Sequence, residues 1–263
     1  MGTLTLGLGL RTRQLRLYSF VVMPALYTLA KGAHALGVQL SEQQLTQFTT
    51  FLGGLAQWNK RTNLTSAAAL ANAERVHLLD SLTLIPVMRA WTPDAHRLVD
   101  VGSGAGFPGL ALKVAMPELH VVLVEATHKK VQFLKWMAAE LGLDDVEILA
   151  KRAELVGRDP ALRESFDVAT ARAVGPLPVA LELTLPLCAV GGAVLAQRGQ
   201  DALQEAIAIA PVARELGGDE PTVELVRPGE AEEASAVSVV RKRVETPERY
   251  PRRVGIPAKR PLS

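Results

Sequence analysis

Cysteine and closely spaced histidines are scarce in this sequence, and their scarcity excludes several kinds of site. Cys188 is the single cysteine among 263 residues, which excludes an internal disulfide and a zinc site built from several cysteines. It lies in the apolar run LTLPLCAV, which is typical of a buried, inert thiol rather than a nucleophile. The five histidines show no HxxxH or other metal-ligand spacing. We therefore predict no bound metal.

The N-terminal apolar stretch is too short to cross a membrane. LYSFVVMPALYTLA has about 14 residues, against the ~20 of a membrane-spanning helix, and Pro24 interrupts it. It follows three arginines and imitates a signal peptide, but no clear cleavage site comes after it. Two interpretations are preferred over secretion: residues 1–22 are native, or translation starts at Met23 and they are a non-native or disordered extension. We expect a cytoplasmic monomer without membrane contact.

A strong net charge is lacking as well, but the charge is unevenly distributed. The whole chain carries +2, whereas Arg241 to Ser263 hold eight Lys or Arg and two Glu, a local charge of +6. With 48% apolar and 21% charged residues, the remainder is typical of a packed globular core. A nearly neutral body with a basic tail favours one anionic contact zone over a generally adhesive surface.

Helical patterns fill the chain up to about residue 90. SEQQLTQFTTFLGGLAQWN begins with a capping-box signal, Ser41 with Gln44 three residues later, and repeats apolar residues at helical spacing. A second helical region, ANAERVHLLDSLTLIPVM, is expected to end near Pro86. Pro93 and Asp94 then mark a loop.

After residue 96 the pattern changes to short apolar strands that alternate with helices. The predicted strands are LVDV, HVVLVEA, VEILA, FDVATAR and GGAVLAQRG, and the predicted helices are FPGLALKVAM, the segment after Thr127, and PLPVALELTLPLCAV. TVELVRP and ASAVSVVRKRV, joined by the acidic turn PGEAEEAS, indicate a terminal pair of strands. The alternation predicts an α/β fold with a mostly parallel sheet, helices on both faces and an antiparallel edge strand.

The loop after the first strand carries three alternating glycines. LVDVGSGAGFPGLAL places Gly102, Gly104 and Gly106 as G-x-G-x-G, with Phe107 where the dinucleotide fingerprint has its last glycine. Glu125 ends the second strand, where a carboxylate can accept hydrogen bonds from the ribose of NAD or of S-adenosylmethionine. The pattern D-x-G-x-G-x-G, the β–β ending and the missing second nucleotide-binding half resemble a class I S-adenosylmethionine-dependent methyltransferase with a Rossmann-like sheet. A dehydrogenase and a turn that binds nothing are the disfavoured alternatives.

Further motifs narrow the resemblance to one family. WNKRTNLTS, HLLDSL, VDVGSGAGFPGLAL, FDVATARAV and YPRRVGIPAKRPL occur in this order and resemble the RsmG family, also called GidB, over roughly residues 36–262. The resemblance implies methylation of N7 of a specific guanine in 16S ribosomal RNA near the decoding centre, with S-adenosyl-L-methionine as cofactor and the small ribosomal subunit or its RNA as partner. The cofactor contacts that it implies are Gly102, Phe107, Glu125, Ala126, Thr127, Ala153, Glu154 and Arg172.

The resulting division has four parts. Residues 1–22 are the extension, 23–95 the helical region, 96–244 the methyltransferase domain and 245–263 the basic C-terminal tail. The remaining alternatives are a methyltransferase of another RNA, a protein or a small molecule, and an RNA-binding assembly factor that only senses the cofactor.

The chemistry implied by the resemblance needs no general base. Guanine N7 already has an exposed lone pair, and the sequence shows no Ser/His/Asp or Cys/His arrangement. Orientation alone can contribute roughly 7–11 kcal/mol in favourable cases. We predict no acid–base residue and leave two roles open for Arg172: contact with guanine O6 or a phosphate, or a pair with an acid such as Glu154 that shapes the pocket. His77 and Asp80, three residues apart, are expected to form a local structural pair.

The RNA contacts are predicted in the basic tail and beside the helical region. Tyr250 would stack on an unpaired base, and Arg198 stands where the family often has lysine. Asn59 and Asn63 are expected to line the substrate cleft, and Trp58 is expected in the core. The predicted RNA-binding residues are Lys60, Arg61, Arg198, Arg249, Tyr250, Arg252 and Arg253; a solvated tail is the alternative.

Overall fold

The computed structural model describes residues 26–199, 201–230 and 232–263, so the predicted extension at residues 1–22 lies outside the described residues. The chain begins with a helical layer that precedes the first strand. Its elements are α1 (Tyr27–Ala35), α2 (Glu42–Asn59), α3 (Ala67–Ala71), a π-helical segment (Glu74–Leu79), α4 (Asp80–Leu82) and α5 (Leu84–Trp91). The predicted capping box is confirmed: the Ser41 side chain accepts from the Gln44 N–H, and the Gln44 side chain accepts from the Ser41 N–H.

A seven-stranded sheet forms the centre of the fold. Its strands are β1 (Arg97–Val101), β2 (His120–Val124), β3 (Val146–Leu149), β4 (Phe166–Arg172), β5 (Cys188–Arg198), β6 (Thr222–Val226) and β7 (Ser235–Arg241). Their order is β3-β2-β1-β4-β5-β7-β6; β1 to β5 pair in parallel, and β7 is antiparallel to β5 and β6. The predicted fold class, a mostly parallel sheet with an antiparallel edge, is confirmed.

Helices cover both faces of the sheet because alternate residues of the buried strands point to opposite faces. The later helices are α6 (Gly109–Ala115), α7 (His128–Glu140), α8 (Ala153–Val156), α9 (Leu177–Thr184), α10 (Ala202–Glu215) and α11 (Ile256–Lys259). Leu98 and Leu123 belong to the core on the side of α2 and α6, whereas Val99 and Val122 belong to the core on the side of α9 and α10.

Three elements differ from the sequence-based expectation. The second helical region continues past Pro86 to Trp91, because Pro86 lies in the first turn of α5, where backbone N–H groups have no partner within the helix. β5 begins at Cys188, inside a segment predicted as helix. α10 was not predicted, and it contains Pro211.

The basic C-terminal tail packs onto the body of the protein. Thr246 and Tyr250 are buried, and Lys242 is fully buried. The Lys242 ammonium donates to the Leu185 carbonyl at 2.8 Å and lies 2.9 Å from the Glu164 carboxylate. Part of the tail's positive charge therefore stabilises the fold instead of facing solvent.

Two searches of the described residues found nothing. Within 26–199, 201–230 and 232–263, no helix combines the length and the apolar character that a membrane crossing needs. The same ranges hold no group of three or more His, Cys, Asp or Glu side chains arranged to bind a metal ion.

Candidate active site

The site lies where the strand order reverses. β2 and β4 flank β1 on its two sides, and Val101 at the end of β1 is in register with Val124 and with Ala171. The connections after β1 and β4 leave towards opposite faces of the sheet, so a crevice opens between them at the carboxyl end. Open α/β sheets bind their ligands at this position.

The glycine loop needs its glycines for conformation and for space. Gly102, Gly104 and Gly106 have φ angles of +73°, +54° and +86°, which L side chains rarely adopt. A Cβ on Gly102 would also stand 2.8 Å from a methyl carbon of Val174, in the loop after β4. The two loops therefore meet at the crevice, and any side chain at Gly102 would push them apart.

Glu125 holds this edge of the sheet together. Its carboxylate is buried, accepts the Gly104 N–H at 3.1 Å and accepts the Thr127 N–H at 2.6 Å. Ala126 and Thr127 are exposed, and the Thr127 side chain makes no capping bond to α7, although the sequence predicts one. Glu125 thus positions the loops after β1 and β2 relative to each other, while its contact with a ribose stays a prediction.

Asp100 lies beneath the glycine loop and was noted in the sequence only by its position. One carboxylate oxygen, Oδ2, accepts the Gly109 N–H at 3.0 Å; the other, Oδ1, is buried and finds no partner among the described residues. Burial raises the pKa of Asp100 to about 7, although the Gly109 N–H acts in the opposite direction. A buried carboxyl with a spare oxygen suits a ligand that brings a positive charge or a hydrogen-bond donor to the loop.

Phe107 belongs to an aromatic cluster that joins the helical layer to the glycine loop. Its ring stacks on Phe51 of α2, with centroids 4.7 Å apart, and on His77, with centroids 4.8 Å apart. The Arg172 guanidinium lies 5.7 Å from the Phe107 ring centroid. Phe107 is buried, so its ring packs in the core, and a cofactor contact by this residue stays a prediction.

His77 is a neutral hydrogen-bonding group. Arg172 donates to His77 Nδ1 at 2.6 Å, and arginine has no acceptor, so the ring proton is on Nε2 and is shared with Thr65 Oγ1 at 2.8 Å. Burial and, to a smaller extent, the Arg172 charge lower the pKa of His77 to about 4. Both ring nitrogens are occupied by protein partners, so His77 acts as a support for Arg172.

Arg172 pairs with Asp80, at the end of the π-helical segment, and not with Glu154. Its Nη1 donates to Asp80 Oδ2 at 3.0 Å and to the Val76 carbonyl at 3.1 Å. His77 and Asp80 thus share a helix face as the sequence predicts, but each contacts Arg172 instead of the other. π-helical turns are frequent at functional sites, and no signal in the sequence predicts this one.

Ala153 and Glu154 stand at the start of α8, after β3. The Glu154 carboxylate is buried and accepts the Gly255 N–H at 2.7 Å, so the C-terminal segment forms one wall beside it. β3 neighbours β2, which places this pair along the same sheet edge as Glu125. The geometry leaves the predicted position beside an adenine available to both residues.

The residues of this edge fit S-adenosylmethionine. Gly102, Ala126 and Thr127 are exposed along the crevice, and the spare oxygen of Asp100 lies below the glycine loop. A sulfonium compound with an amino group and a ribose offers the positive charge and the donors that these groups accept.

Similar proteins carry one name. The sequence profile of GidB, described as rRNA small subunit methyltransferase G, matches residues 44–221. The ribosomal RNA small subunit methyltransferase G of Chloroflexus aggregans (strain MD-66 / DSM 9485) is 46% identical over 235 residues, which cover 89% of this chain and 97% of that protein. The protein of the same name from Roseiflexus castenholzii (strain DSM 13941 / HLO8) is 45% identical over 238 residues, covering 89% and 98%.

The chain belongs to the rRNA small subunit methyltransferase G family. The profile match includes the glycine loop, Glu125 and Arg172, so the crevice lies within the family's shared part. The resemblance that the sequence motifs indicate is therefore confirmed.

The residues predicted to bind RNA fall into two groups in this family member. Lys60, Arg61 and Arg253 are exposed, and Arg249 is exposed beside Glu215, its Nη2 lying 3.1 Å from the carboxylate. Asn59 supports the first pair: its side-chain oxygen accepts the Leu64 and Thr65 N–H groups. Asn59 thus shapes the loop and does not line the cleft as expected.

The other predicted RNA contacts are engaged within the protein. Arg252 donates from Nε and Nη2 to the buried Glu182 carboxylate, and Arg198 donates likewise to Glu205. Tyr250 is 5% exposed, its ring packs in the core and its hydroxyl donates to Glu215. The prediction that Tyr250 stacks on a base needs correction, because in this fold the ring faces the core. Trp58 packs against Phe133 and Trp136, as expected.

Proposed function

We propose that this protein transfers the methyl group of S-adenosyl-L-methionine to N7 of a specific guanine in 16S ribosomal RNA near the decoding centre. The observation that carries the proposal is the meeting of the glycine loop, Glu125 and Arg172 at the carboxyl ends of β1, β2 and β4, within the part of the chain that matches the family. We place the reaction in the cytoplasm, with the small ribosomal subunit or its RNA as partner.

The protein's own residues bind and orient the reactants. S-adenosylmethionine supplies an electrophilic methyl group on a sulfonium sulfur. Glu125, fixed by the Gly104 and Thr127 N–H groups, would hold the ribose, and Asp100 would face the positive charge at the glycine loop. Arg172, at the junction of crevice and helical layer, would position the guanine.

A general base has no task in this reaction. N7 of guanine carries no proton, so the protein has only to align the lone pair with the methyl carbon. His77, the titratable ring next to Arg172, is neutral and bonded on both nitrogens. This arrangement supports catalysis by proximity and orientation.

The direct test uses small ribosomal subunits from a strain that lacks this gene. The protein and radiolabelled S-adenosylmethionine should label 16S RNA at one guanine, and that RNA should be cleavable at 7-methylguanine. Label on RNA that resists this cleavage would contradict the N7 position. Cofactor binding without label on any RNA would contradict the rRNA substrate.

Glu125→Ala tests the cofactor site. We expect S-adenosylmethionine affinity to fall by at least about 10-fold, because the ribose contact and the support of two loops are lost together; a hydrogen bond to a charged group contributes roughly 1.5–3 kcal/mol. Isothermal titration calorimetry measures the change. The exposed Glu118→Ala serves as the matched control and should bind normally. Unchanged affinity in Glu125→Ala would contradict the assigned role.

A further inference from the structure

A large cleft opens on the far side of Arg172 from the glycine loop. Its volume is about 1040 Å³, and it lies between the π-helical segment, the end of β5, the start of α10 and the β6–β7 hairpin. Its walls include Asn72, Val76, Asp80, Arg198, Leu203 and Ser235. Cavities of this size hold a small molecule or a nucleobase with part of its ribose.

Asp80 is presented to this cleft in a fixed orientation. Its Oδ1 accepts the Ser235 hydroxyl at 2.7 Å, its Oδ2 accepts Arg172 Nη1 at 3.0 Å, and its backbone carbonyl accepts the Gln197 amide at 2.8 Å. The side chain is nevertheless 27% exposed. A charged group held from three sides but still open to the cleft is typical of a group kept ready for a ligand.

The Asp80–Arg172 pair has unused hydrogen-bonding capacity. Arg172 has five N–H donors; three reach Val76, Asp80 and His77, so Nε–H and one Nη2–H are without partners in the described part of the chain. Each Asp80 oxygen accepts one hydrogen bond from a side chain and retains a lone pair. The pair therefore offers a donor and an acceptor side by side.

We propose that Asp80 and Arg172 read the guanine edge in this cleft: Arg172 donates to O6, and Asp80 accepts from N1–H. The inference rests on the proposed function. O6 and N1–H are neighbours on guanine and present acceptor and donor in that order, which matches the pair. Adenine presents the opposite order, an amino donor and an N1 acceptor, so it leaves both protein groups unpaired. N7 stays free to attack.

The carboxylate also suits the change of charge during transfer. The N7 lone pair forms the bond to the methyl carbon, and the electron pair of the broken sulfur–carbon bond stays on sulfur. The positive charge thus moves from the sulfonium to the purine and makes N1–H more acidic. A carboxylate that accepts N1–H gains strength as this charge develops, so Asp80 stabilises the transition state more than the bound guanine.

The test is a series of base analogues at the methylated position of reconstituted small subunits. Inosine keeps O6 and N1–H and lacks the 2-amino group, whereas 2-aminopurine keeps N7 and the 2-amino group and lacks O6 and N1–H. We expect wild-type protein to methylate guanosine and inosine at rates within about 10-fold, and 2-aminopurine slower by at least about 100-fold. Equal rates on guanosine and 2-aminopurine would overturn the inference, and this arm needs no variant.

Asp80→Asn then assigns the selectivity to this residue. We expect the guanosine rate to fall and the guanosine-to-2-aminopurine ratio to shrink by at least about 10-fold, with S-adenosylhomocysteine affinity unchanged. Glu232→Gln is the matched control, because Glu232 is an acid of the same cleft paired with Arg75, and its ratio should equal that of wild type. An unchanged ratio in Asp80→Asn would overturn the inference. Wild-type protein that labels no RNA would instead overturn the proposed function, and the inference with it.

Discussion

At the scale of single residues, two buried titratable groups near the glycine loop have opposite pKa shifts. Burial lowers the pKa of His77 to about 4 and raises that of Asp100 to about 7. Between pH 4 and 6.5, unfolding adds a proton to His77, so this residue makes stability rise with pH. In the same range unfolding removes a proton from Asp100, so this residue makes stability fall with pH. The two contributions largely cancel in the wild-type protein.

Single variants should uncover these opposing contributions. His77→Gln leaves the Asp100 contribution, so its unfolding free energy should decrease by about 1.4 kcal/mol per pH unit, relative to wild type, from pH 4 to 6.5. Asp100→Asn leaves the His77 contribution and should show the opposite slope. Urea unfolding at pH 4.5, 5.5 and 6.5 measures both. Variants that keep the wild-type slope would contradict the assigned protonation states.

At the scale of elements, the adjacent glycines of α2 distinguish helix propensity from packing. Gly53 is exposed, and a Cβ there meets no atom within 4 Å, whereas a Cβ on Gly54 would stand 2.5 Å from a methyl carbon of Met137 and 2.7 Å from the Trp136 ring. Gly54 therefore lets α2 approach α7 closely. The sequence shows two identical residues, and only the packing separates their roles.

Alanine at the two positions should have opposite effects. Gly53→Ala should stabilise the protein by about 0.5–1 kcal/mol, because alanine loses less backbone entropy in a helix. Gly54→Ala should destabilise it by about 1–3 kcal/mol, because α2 and α7 must move apart. Denaturant unfolding of the two variants provides the measurement, and each is the control of the other. A stabilising Gly54→Ala would show that the helices are less tightly packed than described.

At the scale of the whole molecule, the C-terminal segment is bound to the body by side chains far apart in sequence. The fully buried Glu182 accepts the backbone N–H of Arg252 at 2.9 Å and its guanidinium at 2.6 Å. Arg163 and Arg158 donate to the backbone carbonyls of Tyr250 and Pro251. Because Glu154 accepts the Gly255 N–H, this attachment reaches the predicted adenine position.

Removing the buried acid should release this segment. Glu182→Ala leaves Arg252 without its buried partner, and we expect a loss of about 3–5 kcal/mol together with faster amide exchange around residues 249–255. Arg214→Ala is the control, because its pair with Glu220 is exposed and should cost less than about 1 kcal/mol. Unfolding experiments and hydrogen exchange provide the two readouts. A loss in Glu182→Ala as small as that of the control would contradict the attachment.

The sequence by itself determined the local features: the capping box of α2, the order of strands and helices after residue 96, the glycine loop and Glu125. These follow from short-range periodicity, conformational preference and spacing. Only the tertiary structure decided which polar groups meet, because Arg172 and Asp80 are 92 positions apart and Tyr250 and Glu215 are 35. The sheet order and the packing of the tail select these partners, so a basic or aromatic residue in the sequence does not reveal whether it faces RNA or the core.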